Sequence, residues 1–260
     1  MPVSFVYKNI YLDMASIDLN CDMGEGMNND EQLMPFISSA NIACGFHAGN
    51  ADIMKRTLEA ALRNGVAIGA HPGFNDKKNF GRTKMQLSSN ELYDLITYQI
   101  YLLQNICDEF NVRIHHIKPH GALYNMAAKN IEMSKTIAEA IKDVDEHFIL
   151  YGLSGSHLIN EAKKINLKTA SEVFADRTYQ NDGSLTSRNF SNALIENENI
   201  SVQQVLQMVQ KQSVTSVSGN IIKIKADTIC IHGDGKHAID FAKKINQTLK
   251  QNNIEIKTIQ

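Results

Sequence analysis

Residues 16–22 read Ser16-Ile17-Asp18-Leu19-Asn20-Cys21-Asp22, and apolar and polar side chains alternate along the whole stretch. Successive side chains of a β-strand point to opposite faces. The apolar residues therefore share one face and the polar residues share the other: Ile17, Leu19 and Cys21 against Asp18, Asn20 and Asp22. This pattern predicts a strand that packs one face against an apolar layer and turns the other toward polar groups.

Further short apolar runs follow along the chain, and segments with helical spacing separate them. The predicted strands are residues 16–22, 40–46, 66–70, 114–118, 147–151, 167–172 and 228–232. Residues 88–91 are typical of a helix start, and Asn64-Gly65 is typical of a helix end. Strand–helix alternation of this kind predicts an α/β fold in which helical crossovers connect parallel strands.

The predicted strands have a bulky apolar face and an opposite face that is small or polar. The polar faces end in acids and imidazoles, namely Asp22, His47, His71, His120 and His232. A barrel interior is normally filled by branched apolar residues, and barrel enzymes carry their active sites at the carboxyl ends of the strands. We therefore expect a single (β/α) barrel of about seven parallel strands, with a polar cavity that opens at those ends. A purely structural role is the alternative for any single His, but five such residues at one end favour a site.

Composition excludes several classes of protein. The chain has 260 residues, a net charge of −2 and 43% hydrophobic residues, which excludes global disorder. There is no basic stripe that would bind nucleic acid, and no apolar run approaches the ~18 residues of a membrane helix.

The four cysteines are far apart and predict reduced, buried thiols in a cytoplasmic protein: Cys21, Cys44, Cys107 and Cys230. We expect residues 1–13 to be an extension outside the fold and residues 14–260 to form one catalytic domain.

Residues 172–177 follow the sixth predicted strand and bring two acids and an arginine, Glu172, Asp176 and Arg177, to its end. An ordinary ion pair is one interpretation, but their position among the other strand ends favours contact with a ligand. The irregular stretches 72–86 and 174–200 are long enough to be functional loops over a site.

Six blocks resemble the signature segments of the LamB/YcsF family and occur in the same order as in that family. They are residues 18–25, 40–49, 69–72, 118–125, 172–177 and 230–234. The resemblance implies a distorted, seven-stranded barrel of the glycoside hydrolase/deacetylase type. It also implies ATP-dependent opening of the lactam of 5-oxo-L-proline to L-glutamate, carried out with two partners, 5-oxoprolinase subunits B and C. Asn50-Ala51 stands where the family usually has Asp-Pro, but no strand-end acid or His is lost.

A five-membered lactam is an unreactive amide, so we expect ATP to supply both activation and driving force. The sequence has no P-loop, which predicts that ATP binds with or by subunits B and C while this chain completes the hydrolysis. Asp22 or His47 would be the general base, and His71 or His120 the general acid. Lys118 and Arg177 would hold anionic oxygens. The predicted substrate-binding residues are Asp18, Asn20, Glu172, Asp176, Arg177 and His232.

Two alternatives from other functional classes stay open. The first is a metal-dependent, deacetylase-like hydrolase, in which Asp22, His47 and His71 are the candidate ligands of a divalent ion. The second is a non-catalytic protein that binds the substrate for its partners. The sequence also leaves open a homo-oligomer.

Overall fold

A computed structural model describes residues 15–233 and 238–260, and within these ranges the chain forms ten strands and eight α-helices. The strands are β1 (Ser16–Met23), β2 (Ser39–Ala43), β3 (Ala67–His71), β4 (His116–Ile117), β5 (Ile149–Leu153), β6 (Lys168–Phe174), β7 (Ser213–Thr215), β8 (Ile221–Lys223), β9 (Thr228–Ile231) and β10 (Glu255–Ile256). The helices are α1 (Asp30–Leu33), α2 (Ala51–Asn64), α3 (Ser89–Glu109), α4 (Gly121–Ala127), α5 (Ile131–Val144), α6 (His157–Lys164), α7 (Glu198–Lys211) and α8 (Ala238–Gln251). The predicted extension 1–13 and the end of the block 230–234 lie outside the described residues.

Seven parallel strands close into a barrel, as the sequence predicted. Strands β1 to β6 pair in chain order, and β9 pairs with both β6 and β1. The closing register places Asp18 opposite Thr228 and Cys21 opposite Ile231. Because all seven strands run in the same direction, their carboxyl ends meet at one mouth of the barrel.

Each face of β1 has the surroundings that its alternation predicted. The outward side chains Ile17, Leu19 and Cys21 are at most 2% exposed and belong to the apolar core between strands and helices. The inward side chains are polar and also buried. The helices of this layer begin and end at the predicted signals. Ser88 caps α3 with a capping box that includes Glu91, and Gly65 ends α2 at a φ of 65°.

Two predicted strands are shorter than expected. The strand predicted for residues 40–46 ends at Ala43, because the chain turns through Gly45 at a φ of 85°. The strand predicted for residues 114–118 keeps only His116 and Ile117. His47 and His120 therefore reach the mouth on the loops that follow their strands.

Three short strands were not predicted. β7 and β8 form an antiparallel hairpin outside the barrel, and β10 pairs with the beginning of β1. The residues after β10 lie against the amino-terminal end of the barrel, where Thr258 Oγ1 is 3.3 Å from Ser39 Oγ and the Ile259 carbonyl accepts a hydrogen bond from His115 Nε2. This tail covers the mouth opposite the predicted site.

All four cysteines are buried and unpaired, as predicted. Among the described residues, no helix is both long and apolar enough to cross a membrane.

Candidate active site

The polar interior of the barrel is organised in layers, and Asp18 lies in the lowest one. Its carboxylate is 1% exposed and accepts hydrogen bonds from the hydroxyls of Ser38, Ser39 and Thr228. Burial raises the pKa of Asp18, and these hydroxyls offset only part of the effect. Asp18 precedes Asp22 by four residues, or about 13 Å along the strand. The structure thus separates this predicted substrate-binding residue from the open mouth.

The middle layer is a chain of amides and one imidazole. Asn41 Nδ2 donates to Asn20 Oδ1 and to Asp22 Oδ1, both at 2.8 Å, and His116 Nε2 donates to Asn41 Oδ1 at 2.8 Å. The His116 ring also stacks on Tyr151, with centroids 4.1 Å apart. Burial holds the pKa of His116 well below its usual value, so this imidazole is neutral. The layer positions the group above it without adding charge.

The upper layer holds a buried cation between two acids. Lys118 Nζ is 2.7 Å from Asp22 Oδ1 and 2.8 Å from Glu172 Oε1, and the side chain of Lys118 is about 3% exposed. The ammonium group also donates to Cys230 Sγ at 3.1 Å and to Asn20 Oδ1 at 3.2 Å. These contacts bring four of the predicted site residues, on β1, β6 and the loop after β4, to one point.

The charges in this layer stabilise one another. Burial alone would raise the pKa of Asp22, but His71 and Lys118 outweigh it and hold the pKa of this carboxyl well below its usual range. Burial alone would lower the pKa of Lys118, but its neighbours, Asp22 foremost, raise it well above its usual value. At neutral pH the site therefore contains an ionised carboxylate beside a fixed ammonium group, the pair that base catalysis and anion stabilisation require.

Three further imidazoles and an acid lie above this pair. His47, His71 and His120 come from the loops or ends of β2, β3 and β4, and Glu25 follows β1. His47 and His120 stack with ring centroids 3.8 Å apart, and His71 Nε2 is 3.4 Å from Asp22 Oδ2. Burial lowers the pKa of His47 well below its usual value and that of His120 to about 3. Both rings are therefore neutral, which weakens the case for His120 as a general acid.

The loop predicted over residues 72–86 packs against these imidazoles. The Phe80 carbonyl accepts a hydrogen bond from His120 Nε2 at 2.9 Å. A Cβ atom at Gly81 would lie 2.7 Å from Cβ of His47 and 2.8 Å from Cδ2 of His120, so a side chain at this position would displace the two rings. The loop thus closes one side of the site.

The end of β6 contributes a second acid–imidazole pair. Asp176 accepts a hydrogen bond from His232 Nδ1, at 2.8 Å to the nearer oxygen. The carboxylate of Asp22, the thiol of Cys230 and the ring of His232 offer ligand atoms within 4.8 Å of one another, so His232 borders the central group. Burial would raise the pKa of Asp176, but His232 outweighs it and lowers this pKa.

Arg177 is engaged elsewhere. It is buried, and its guanidinium donates to the carbonyls of Thr186 and Ala193 in the loop that follows β6. Burial and the nearby Arg188 lower the pKa of Arg177 to about 10. These hydrogen bonds stabilise the loop that follows β6, and the contact of Arg177 with anionic oxygens of a substrate stays a prediction.

Several members of the site were not among the predicted site residues. They are Glu25, Asn41, Tyr124 and Cys230, and Tyr124 donates a 2.6 Å hydrogen bond to Glu172 Oε2. Asn41 and Cys230 lie on the inward faces that period-two alternation identifies, so the sequence did carry a signal for them. Glu25 follows Gly24, whose φ of 69° ends the alternation, and Tyr124 lies on α4 rather than at a strand end.

Similar proteins match nearly the whole chain and agree on one family. The LamB/YcsF family matches residues 17–260. A protein of Tolumonas auensis, named as the A subunit of 5-oxoprolinase, is 54% identical over 251 residues, which are 95% of this chain and 100% of the relative. The crystal structure of a lactam utilization protein from Thermus thermophilus superimposes with a TM-score of 0.89 at 35% identity, covering 94% of this chain and 100% of the other. A peptidoglycan deacetylase from Bacillus subtilis shares the fold, with a TM-score of 0.51, 12% identity and coverage of 95% and 89%.

Proposed function

Because the chain belongs to the LamB/YcsF family, we propose that it is the A subunit of a 5-oxoprolinase, a hydrolase that opens the lactam of 5-oxo-L-proline to L-glutamate with hydrolysis of ATP. The observation that carries this proposal is the 54% identity to a protein of that name over 95% of the chain. The partners would be subunits B and C, since the relatives are named as one subunit of an enzyme. Unpaired, buried cysteines fit work in the reducing cytoplasm.

The chemistry of the substrate explains why ATP is required. A five-membered lactam is a stable amide, and ring closure is favoured over the open amino acid. Transfer of a phosphoryl group to the amide oxygen would make the carbonyl carbon more electrophilic and would couple ring opening to ATP cleavage. No P-loop sequence occurs in this chain, so we assign the activation step to subunits B and C and the hydrolytic step to this barrel.

In the hydrolytic step, water adds to the activated carbonyl carbon, the C–N bond breaks and the ring nitrogen receives a proton. A second water molecule then cleaves the resulting acyl phosphate into the carboxylate of glutamate and inorganic phosphate. Asp22 is the best candidate for the base, because its carboxylate is ionised at neutral pH and its Oδ2 atom lies 3.4 Å from His71, the candidate acid. Its other oxygen is bound by Lys118 and Asn41, which orients the carboxylate. A general base of this kind contributes roughly 10²–10⁴-fold to the rate.

Lys118 and the surrounding imidazoles supply the remaining roles. The ammonium group of Lys118 is a fixed positive charge that would stabilise the negative charge developing on the substrate oxygen. His71 lies beside Asp22 and is the candidate to return the proton to the nitrogen. His232, oriented by Asp176, borders the same space and would contact the substrate.

Reconstitution tests the proposal. This chain and subunits B and C of the same organism would be purified and assayed singly, in pairs and together for glutamate release from 5-oxo-L-proline. We expect ATP-dependent glutamate only from the three together, and little ATP hydrolysis from this chain alone. Glutamate release without this chain, or substrate-stimulated ATP hydrolysis by this chain alone, would contradict the division of labour.

A further inference from the structure

Glu25, His47, His71 and His120 form a group in which the proposed reaction uses only His71. We infer that these four side chains bind one divalent metal ion of the kind that prefers nitrogen ligands, such as Zn²⁺. The inference goes beyond the proposed function, because it concerns metal binding by this chain alone and holds or fails without the substrate.

The first argument is that the ligand atoms of the four side chains lie close together. Each of the four residues offers one ligand atom, and these atoms all lie within 4.8 Å of one another. Glu25 Oε1 is 3.3 Å from His120 Nδ1, 3.5 Å from His47 Nε2 and 3.9 Å from His71 Nε2. Three imidazoles and one carboxylate are a ligand set that suits zinc and neighbouring transition metals.

The second argument is the direction of the lone pairs. His71 Nδ1 donates a 2.7 Å hydrogen bond to the Lys118 carbonyl, and His120 Nε2 donates a 2.9 Å hydrogen bond to the Phe80 carbonyl. A carbonyl oxygen only accepts hydrogen bonds, so these two ring nitrogens carry protons. When neither ring carries a second proton, the other nitrogens carry lone pairs. His71 Nε2 and His120 Nδ1 then face each other at 2.9 Å with a lone pair on each atom.

Two facing lone pairs repel unless a cation lies beside them. A ring N–H held by a backbone carbonyl is also the usual support of a metal-binding histidine, because it fixes the tautomer and points the other nitrogen at the ion. Two of the three imidazoles have this support, from the loop after β4 and from the loop after β3.

The third argument is the state of His47. This side chain is 1% exposed, and neither of its ring nitrogens has a hydrogen-bond partner among the described residues. A buried polar atom without a partner costs about 1–3 kcal/mol. A Cβ atom at Gly73 would lie 2.7 Å from Nδ1 of His47, so glycine at that position leaves the ring the space it occupies. A metal ion would satisfy Nε2 of His47 together with the other three ligand atoms.

A single proton is the competing occupant. A proton shared between His71 and His120 would remove their repulsion, and Glu25 would balance its charge. It would leave His47 buried without a partner, whereas a metal ion accounts for all four side chains. Asp22, a candidate ligand from the sequence, already binds Lys118 and Asn41 through Oδ1, and Glu25 takes its place in the inferred set. The ion would polarise a carbonyl or lower the pKa of a water molecule beside Asp22. His71 Nε2 would then bind the ion, so Asp22, after it takes a proton from the water, would return that proton to the ring nitrogen in place of His71.

Metal binding by the purified chain tests the inference. The protein would be stripped with a chelator, and the binding of Zn²⁺ and Co²⁺ alone would be followed by calorimetry, metal analysis and the visible absorption of Co²⁺. We expect one ion per chain, and a weakening of at least 100-fold in His47→Gln and in Glu25→Gln. His147→Gln, at an exposed imidazole, is the matched control and should bind as the unaltered chain does.

The outcomes separate the alternatives. Binding of less than one ion per chain would overturn the inference, and so would full binding that survives both His47→Gln and Glu25→Gln. Circular dichroism would confirm that each variant is folded. If a variant fails to fold, the visible spectrum of Co²⁺ in the unaltered chain decides: bands of imidazole and carboxylate ligation support the site, and the spectrum of the aqueous ion refutes it.

Discussion

Replacement of Lys118 by methionine tests whether the centre of the barrel depends on one cation between two acids. Lys118 Nζ is 2.7 Å from Asp22 and 2.8 Å from Glu172, and all three side chains are buried. Methionine fills a similar volume but leaves the two carboxylates without their common partner. Breaking a buried ion pair by removing one member costs roughly 3–5 kcal/mol, so we expect Lys118→Met to lower the free energy of unfolding by about that amount at pH 7.

The size of this loss should depend on pH. In the unaltered chain the pKa of Asp22 is held low, so this group contributes stability that is present above its usual pKa and is lost as the pH falls through its lowered pKa. In Lys118→Met the pKa of Asp22 rises, and protonation of Asp22 at low pH then removes the unpaired negative charge that destabilises the variant. The difference in free energy of unfolding between the unaltered chain and Lys118→Met should therefore be largest at neutral pH. It should become smaller toward pH 4.5, by at most about 1.4 kcal/mol per pH unit.

Urea unfolding at pH 7.5, 6 and 4.5 measures this difference. Lys129→Met, at an exposed position, is the control and should unfold within about 0.5 kcal/mol of the unaltered chain. Glu172→Gln combined with Lys118→Met removes one of the unpaired charges, so the double variant should recover part of the loss. A loss under about 1 kcal/mol in Lys118→Met, or a difference independent of pH, would refute the reasoning.

Three further changes follow from the structure and the sequence. Burial lowers the pKa of His116, so this residue contributes stability that is present above the usual His pKa and is lost as the pH falls. The free energy of unfolding in urea should therefore decline less between pH 7 and pH 5 in His116→Gln than in the unaltered chain. His147→Gln, at an exposed position, is the control and should leave that decline unchanged. In Gly69→Ala the added Cβ would lie 2.1 Å from Nε2 of His116. The free energy of unfolding should therefore fall by about 1–3 kcal/mol, seen as a lower urea midpoint. An unchanged midpoint would contradict this close packing. A chain that begins at Met14 should fold as the longer one does, which soluble yield and thermal melting would check; loss of soluble protein would show that residues 1–13 belong to the fold.

Much of the barrel was predictable, because strand alternation records which side of a strand meets apolar helices. Asp18, Asn20 and Asp22 point inward as their spacing requires, and the inward position of Lys118 follows from the same count. Strand β10 was not predictable, since a two-residue strand has no measurable period. The hairpin of β7 and β8 is similarly short.

The candidate site was predictable where residues lie on strands and less so where loops return to the mouth. Glu25 lies beyond a glycine with positive φ, after which no periodicity connects it to the acids of β1. The carbonyl of Phe80, which fixes the tautomer of His120, carries no signal in the sequence, because backbone groups are the same at every position. Arg177 has the residue type of an anion-binding group, but its guanidinium donates to carbonyls of its own loop.

The central claim is that Asp22 acts on the substrate inside an assembled three-subunit enzyme. Asp22→Asn is the most direct test, because it keeps the size and an accepting oxygen of the side chain beside Lys118 while removing its charge. We expect glutamate release from 5-oxo-L-proline by the complex of this variant with subunits B and C to fall at least ~100-fold, while the variant still folds and assembles. Turnover near that of the unaltered complex would contradict the account and would move Asp22 to a structural role.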